Sequence, residues 1–350
     1  MRERASWLWV AIVAASAACG GNGASSSGSV GTTSTGGANG SGGATPGGSG
    51  GTSGGGGGGG GGAAGGGGSD CPSQATRIAS SMNMPGPLAV DATYLYWAEQ
   101  QGTTAAIERA PLAGGAAQKL TSANLDASAA SYGVAGLAVD ADGVYWSTYA
   151  DRTSLLWAYP FAAGTSMRLA DTSPIRDLVV DGGIVYFSNA DGLWNVHTFG
   201  NPIEFMANVP PGALAIDAWH VFVAGGGVVN RVDRTSGAVT TLADRGLTND
   251  IAVAVDFDTA YVVDDRGGVW GIDAPGALPR SIYGDALVTT SNPWIQLVGS
   301  ELYFTCAGGI QRIPTDGSSV GFVSGGVSNA VVDGDRVFFS RDDEVDVVCR

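Results

Sequence analysis

The chain has one lysine, Lys119, and two histidines, His197 and His220. It carries 32 acidic residues against 17 Lys and Arg, a formal charge of −15. The few basic residues form no stripe. An electrostatic grip on nucleic acid or on anionic lipid is therefore disfavoured. No apolar run reaches the roughly 20 residues of a bilayer-spanning helix. No stretch of ten residues or more shows helical periodicity, which argues against an α-helical domain. The two histidines fall at unmatched places, His197 in a third strand of its repeat and His220 just after Trp219 in a hairpin turn, so a histidine metal site is disfavoured. No glycine cluster is followed by the Lys and helix of a phosphate cradle, and no serine sits in a nucleophile-elbow setting.

The beginning of the chain is specialised. Arg2 and Arg4 precede an apolar run from Ala5 to Ala18, 14 residues long. A short basic start, a short apolar core and small residues before a cut site read as a signal peptide over residues 1–18. The sequence Ser16-Ala17-Ala18-Cys19 resembles a bacterial lipobox, with Ser16 where that pattern usually has Leu. The resemblance implies lipidation of Cys19; the alternative is ordinary cleavage near Ala18. From Gly20 to Asp70 the residues are nearly all Gly, Ser, Thr, Ala and Asn, with unbroken glycine from Gly54 to Gly62. Such a segment has too little apolar surface to offset its ordering entropy. It reads as a tether, with an end-to-end distance of roughly 35–45 Å for a flexible coil of this length. Residues 19–70 are thus expected to be a lipid-modified cysteine and its Gly/Ser linker, and residues 71–350 a single large domain. The expected location is the cell envelope, outer membrane or cell surface, with the lipid as the sole membrane contact.

Within 71–350 one pattern recurs seven times: Leu88–Trp97, Leu137–Trp146, Leu178–Phe187, Leu214–Val223, Val253–Val262, Ile295–Phe304 and Ala330–Phe339. Successive copies start 49, 41, 36, 39, 42 and 35 residues apart. Each holds two short apolar runs separated by Asp and small residues, the signature of a strand, a tight turn and a second strand. A third apolar run follows, as at Leu155–Tyr159, and then a fourth, as at Arg168-Leu169-Ala170. Four strands in about 40 residues is the size of a propeller blade. The seventh copy stops after its third strand at Glu344–Cys349. The segment Ala75–Ser80 supplies an orphan fourth strand, since Arg77-Ile78-Ala79 matches Arg168-Leu169-Ala170. The predicted fold is therefore all-β, a seven-bladed β-propeller whose N-terminal strand completes the last blade and removes the open edges.

The LAVD…VYW unit, followed by Ile107-Glu108-Arg109-Ala110-Pro111-Leu112-Ala113-Gly114-Gly115, resembles the YWTD/NHL/TolB-like propeller superfamily, and in particular propeller lipoproteins of GC-rich bacterial genomes. The resemblance covers Ala75 to Arg350. It is specific for fold and nearly silent about activity, because propellers host many functions. Seven-bladed lyases of the virginiamycin-inactivating kind share the outline, but they rely on histidines that this chain does not reproduce.

Candidate sites follow from the repeat. The aspartates Asp91, Asp140, Asp181, Asp217, Asp256 and Asp333 occupy the same turn in successive copies. They read as turn formers spread around the ring, not as a converging calcium site. The aromatic pairs such as Tyr96-Trp97 and Tyr145-Trp146 read as packing between blades. The segments before each first strand should open on one face around the central channel. They carry Arg176-Asp177, Asn249-Asp250, Pro293-Trp294 and Ser328-Asn329, which makes Arg176, Asp177, Asn249, Asp250, Trp294 and Asn329 the candidate binding residues. Trp294 could stack on a sugar or peptide, or simply plug the channel. The implied partner is a protein, peptide or glycan at the channel face, bound by a monomer without a cofactor. A binding or scaffolding role is favoured over enzymatic activity; the alternative is a propeller hydrolase or lyase with an acidic metal site. Of the cysteines, Cys306 falls inside a strand of the sixth copy. Cys71 just precedes the orphan strand and Cys349 ends the strand it should pair with, so a Cys71–Cys349 disulfide is expected in an exported protein. The alternative leaves Cys71 a free thiol.

Overall fold

The computed structural model describes residues 75–349, apart from short stretches at 80–84, 126–128, 130–131, 200–201, 249–250, 258, 285–293, 307–308 and 342–343. The signal segment, Cys19, the linker and Cys71 lie outside the described residues. Among those described there are 28 strands and no helix. They form seven four-stranded antiparallel sheets, the blades of a β-propeller.

The first strand of each blade is innermost: β2 (Pro85–Val90), β6 (Tyr132–Val139), β10 (Ile175–Asp181), β14 (Ala213–Ile216), β18 (Ile251–Asp256), β22 (Ile295–Val298) and β26 (Asn329–Asp333). Each inner strand touches the inner strand of the next blade, and β26 returns to β2. The second strands are β3 (Tyr94–Gln101), β7 (Gly143–Ala150), β11 (Ile184–Asn189), β15 (His220–Gly225), β19 (Thr259–Asp264), β23 (Glu301–Cys306) and β27 (Arg336–Arg341). These hold the second half of every repeat, so all seven copies occupy equivalent places. The last blade takes its third strand from β28 (Glu344–Cys349) and its fourth from β1 (Thr76–Ala79). β1 pairs antiparallel with β28, Thr76 opposite Val347 and Arg77 opposite Asp346. Arg77 also forms an ion pair with Glu344. The expected closure by the N-terminal strand is therefore present.

The aromatic pairs explain how the blades hold together. Successive side chains of a strand point to opposite faces, and in a propeller the two faces meet different neighbours. Tyr96 packs with Leu137 and Trp146 of the second blade, whereas Trp97 packs with Phe338 and Val347 of the seventh. The same division repeats at Tyr145-Trp146, Tyr186-Phe187, Tyr303-Phe304 and Phe338-Phe339, each pair serving the two adjoining interfaces. All ten side chains are buried. Burying one such ring stabilises the fold by roughly 1.5–3 kcal/mol. Cys306 is buried in the cluster between the fifth and sixth blades.

The turns follow the repeat as well. Asp91 accepts the backbone N–H groups of Thr93 and Tyr94 at 2.7 Å each. Asp140 does the same for Asp142 and Gly143, and Asp217 for Trp219 and His220. In the third copy Asp181 is followed by two glycines, Gly182 and Gly183, and both have positive φ, 59° and 76°. Glycine makes that turn without a side-chain penalty.

Candidate functional site

The inner strands enclose a central cavity of about 480 Å³, lined by residues from all seven blades. Arg176, Asp177, Trp294 and Asn329 all line it. Asn249 and Asp250 lie outside the described residues. Three of the four are not in connecting loops, as the sequence implied: Arg176 and Asp177 belong to β10 and Asn329 begins β26. The register of β10 against β11 shifts between Ile175 and Asp177. A bulge of this kind re-aims a side chain.

Asp177 is held from two sides. One carboxylate oxygen accepts the N–H of Leu178 at 2.8 Å, and the other accepts the N–H of Leu214 in the next blade at 2.7 Å. Burial pushes its pKa up to about 6; the two amides and Arg176 pull the other way. The carboxylate is thus a strap between the third and fourth blades as well as part of the cavity wall. Trp294 is half-buried. It packs against the cluster between the sixth and seventh blades. Its N–H donates to the hydroxyl of Thr305 at 2.9 Å, and its carbonyl accepts the N–H of Thr305 at 2.9 Å. These backbone bonds fix Trp294 immediately before β22, and its side chain contributes to the cavity lining. The backbone N–H of Asn329 donates to the Ser340 hydroxyl at 3.1 Å. Around one cavity the fold thus gathers a cation, a carboxylate, an indole and an amide.

Asp91, Asp140 and Asp217 are engaged with their own turns, Asp333 pairs with Arg336 of its own turn, and Asp181 pairs with Arg234 of the next blade. Among the described residues no group of three or more His, Cys, Asp or Glu is placed to hold a metal ion. His197 ends the third strand of its blade. His220 is the first residue of β15, 3.3 Å from Asp217.

Sequence reasoning missed several contacts that cross between blades. The Gln296 side chain donates to the carbonyl of Val332 at 2.9 Å and accepts its N–H at 2.8 Å, matching a backbone edge in the next blade. Arg336 donates to the carbonyl of Leu112 at 2.9 Å, tying the seventh blade to the first. Within single blades, the Tyr96 hydroxyl donates to Asp91 at 2.7 Å and that of Tyr145 to Asp140 at 3.2 Å. The sequence did carry a signal for the last pair, the fixed Asp-to-Tyr spacing of five in both copies. A second cavity of about 540 Å³ lies between the first two blades. It is walled by Tyr94, Arg109 and Phe161, and the Arg109 guanidinium stacks 4.2 Å above the Tyr94 ring.

No family model matches the chain, and no curated protein matches it. Solved structures do. A chain of the mitotic checkpoint complex is similar at 13% identity and a TM-score of 0.60, over 79% of this chain and 95% of that one. BamB from Moraxella catarrhalis is similar at 15% identity and a TM-score of 0.53, over 77% of this chain and 86% of that one. The computationally designed protein Ika8 is similar at 13% identity and a TM-score of 0.51, over 78% of this chain and 98% of that one. At such identities the likeness is one of fold alone, and that fold is the seven-bladed β-propeller built by the repeats.

Proposed function

We propose that the chain is a non-enzymatic binding or scaffolding module of the cell envelope, held to a membrane through Cys19 and carried on the linker 20–70. Its ligand, a protein, peptide or glycan segment, meets the channel mouth at Arg176, Asn249, Asp250, Trp294 and Asn329. Asp177 shapes the wall there. The observation that carries this reading is the central cavity, where a cation and an amide on inner strands and an indole just before one are contributed by separate blades. Rigid placement lowers the ordering cost of binding. The lipobox-like sequence at Cys19 and the glycine-rich linker support the envelope assignment, as does the likeness in sequence to propeller lipoproteins. The test is a screen of peptide and glycan arrays with the wild-type propeller and with Trp294→Ala. The reading expects a class of ligand whose binding falls at least tenfold in the variant. Unchanged binding would remove the channel mouth from the account. A stoichiometric divalent ion in purified protein would instead favour the hydrolase or lyase alternative.

We further propose that Cys71 and Cys349 form a disulfide. The pairing of Thr76 with Val347 supports it, because β1 begins beside the Cys349 end of β28. The bridge would close nearly the whole domain into one loop. The chain-entropy model assigns roughly 5–6 kcal/mol to loops of this size, before any strain is subtracted.

A further inference from the structure

The turn between first and second strands takes small or polar residues in five of the seven copies, for example Ala92-Thr93, Gly182-Gly183 and Gly334-Asp335. In the fourth and fifth copies it carries Trp219 and Phe257. Nothing in turn chemistry calls for an aromatic there. Both are exposed, 73% and 87%. Phe257 also has a φ of 29°, a conformation that is strained for a bulky side chain. The connections between third and fourth strands open on the same face of the ring. In the third and fifth blades they add Phe199 and Leu278, exposed at 74% and 70%. Four large apolar side chains therefore stand in water on one face of three consecutive blades. This face is opposite to the inter-blade connections at the channel mouth. Large apolar side chains left exposed together on one face point to an interaction site.

The charge of the same face narrows the partner. Its turns carry Asp181, Glu204, Asp217, Asp233, Asp256 and Asp273 against Arg234 and Arg280. Arg234 is taken by Asp181 at 2.7 Å and Arg280 by Asp273 at 3.3 Å. No ion pair with an arginine engages the carboxylates of the other four among the described residues, although Arg234 also donates to the Asp217 carbonyl at 3.1 Å and His220 lies 3.3 Å from the Asp217 carboxylate. Bonds from Ser236 hold the Asp233 carboxyl below the usual carboxylate range. We propose that this face is a second docking surface, separate from the channel mouth, for a cationic amphipathic protein segment whose apolar side chains cover Trp219 and Phe257 while its Lys or Arg residues meet the acids. The acidic rim disfavours an anionic lipid surface and a second copy of the same acidic face.

The probe is an 18-residue amphipathic Lys/Leu peptide, with a Lys/Ser peptide of equal charge as its control. The full domain should bind the Lys/Leu peptide, bind the Lys/Ser peptide at least tenfold more weakly, and lose affinity as salt rises. The double variant Trp219→Ser, Phe257→Gly should bind the Lys/Leu peptide at least tenfold more weakly while melting at or above the wild-type temperature, since glycine relieves the positive φ. Phe322→Ser, which removes an exposed aromatic from the outer strand of the sixth blade, should leave binding unchanged. Equal binding by wild type and the double variant overturns the proposal. So does co-sedimentation with phosphatidylcholine vesicles that depends on Trp219 and Phe257, or wild-type self-association that the double variant abolishes.

Discussion

Asp177 makes a prediction that its two hydrogen bonds alone would not. Its folded pKa of about 6 lies above the ordinary carboxylate value. Between about pH 4 and pH 6 the folded protein therefore binds more protons at this site than the unfolded chain does. The slope of stability with pH is set by protons bound unfolded minus folded, so Asp177 makes stability fall as pH rises through this window. Asp233 and Asp316, whose carboxyls are held low by serine partners, act in the opposite direction. The comparison must therefore be between wild type and Asp177→Asn. Urea unfolding at several pH values should show the variant losing the downward component between pH 4 and 6. An identical pH dependence in both proteins would mean that the Asp177 carboxyl is not desolvated. Such a residue was only half legible in the sequence. Its type and place beside the channel could be read from the position of Arg176-Asp177 before the apolar run. Its partner could not, because the Leu214 amide is 37 residues away and is brought near only by the stacking of blades.

At the scale of elements, the strands and turns were readable because each blade repeats the same local rule. Two apolar runs, an Asp turn and an aromatic pair define the inner hairpin without any long-range information. What a single repeat cannot show is how one blade edge meets the next. Gln296 illustrates this, since its amide satisfies both backbone groups of Val332 across the sixth and seventh blades. Gln296→Ala should leave those groups short of partners and destabilise the domain by about 1–3 kcal/mol, measurable by urea unfolding. Gln296→Glu should recover little, because a carboxylate cannot donate to the Val332 carbonyl. β1 makes a second prediction at this scale. It covers an edge of β28 that would otherwise offer unpaired N–H and C=O groups. Deleting residues 75–80 should lower the melting temperature and promote association, seen as larger species in sedimentation. A deletion protein that stays monomeric with wild-type stability would show that the ring does not depend on this strand.

At the scale of the molecule, the fold separates three tasks. The interfaces between blades hold the ring, the channel mouth offers a polar and aromatic cavity, and the opposite face carries exposed aromatics among acids. The central claim joins these to the chain ends: an exported propeller, anchored at Cys19, with its ring closed by the N-terminal strand and stapled beside it. Non-reducing peptide mapping by mass spectrometry of the protein purified from the cell envelope tests this most directly. The account predicts a mature N-terminal peptide that begins at a lipid-modified Cys19, together with one cross-linked peptide pair joining Cys71 to Cys349. An unmodified N-terminus, a bridge from Cys19 or Cys71 to Cys306, or unbridged thiols at Cys71 and Cys349 would contradict it.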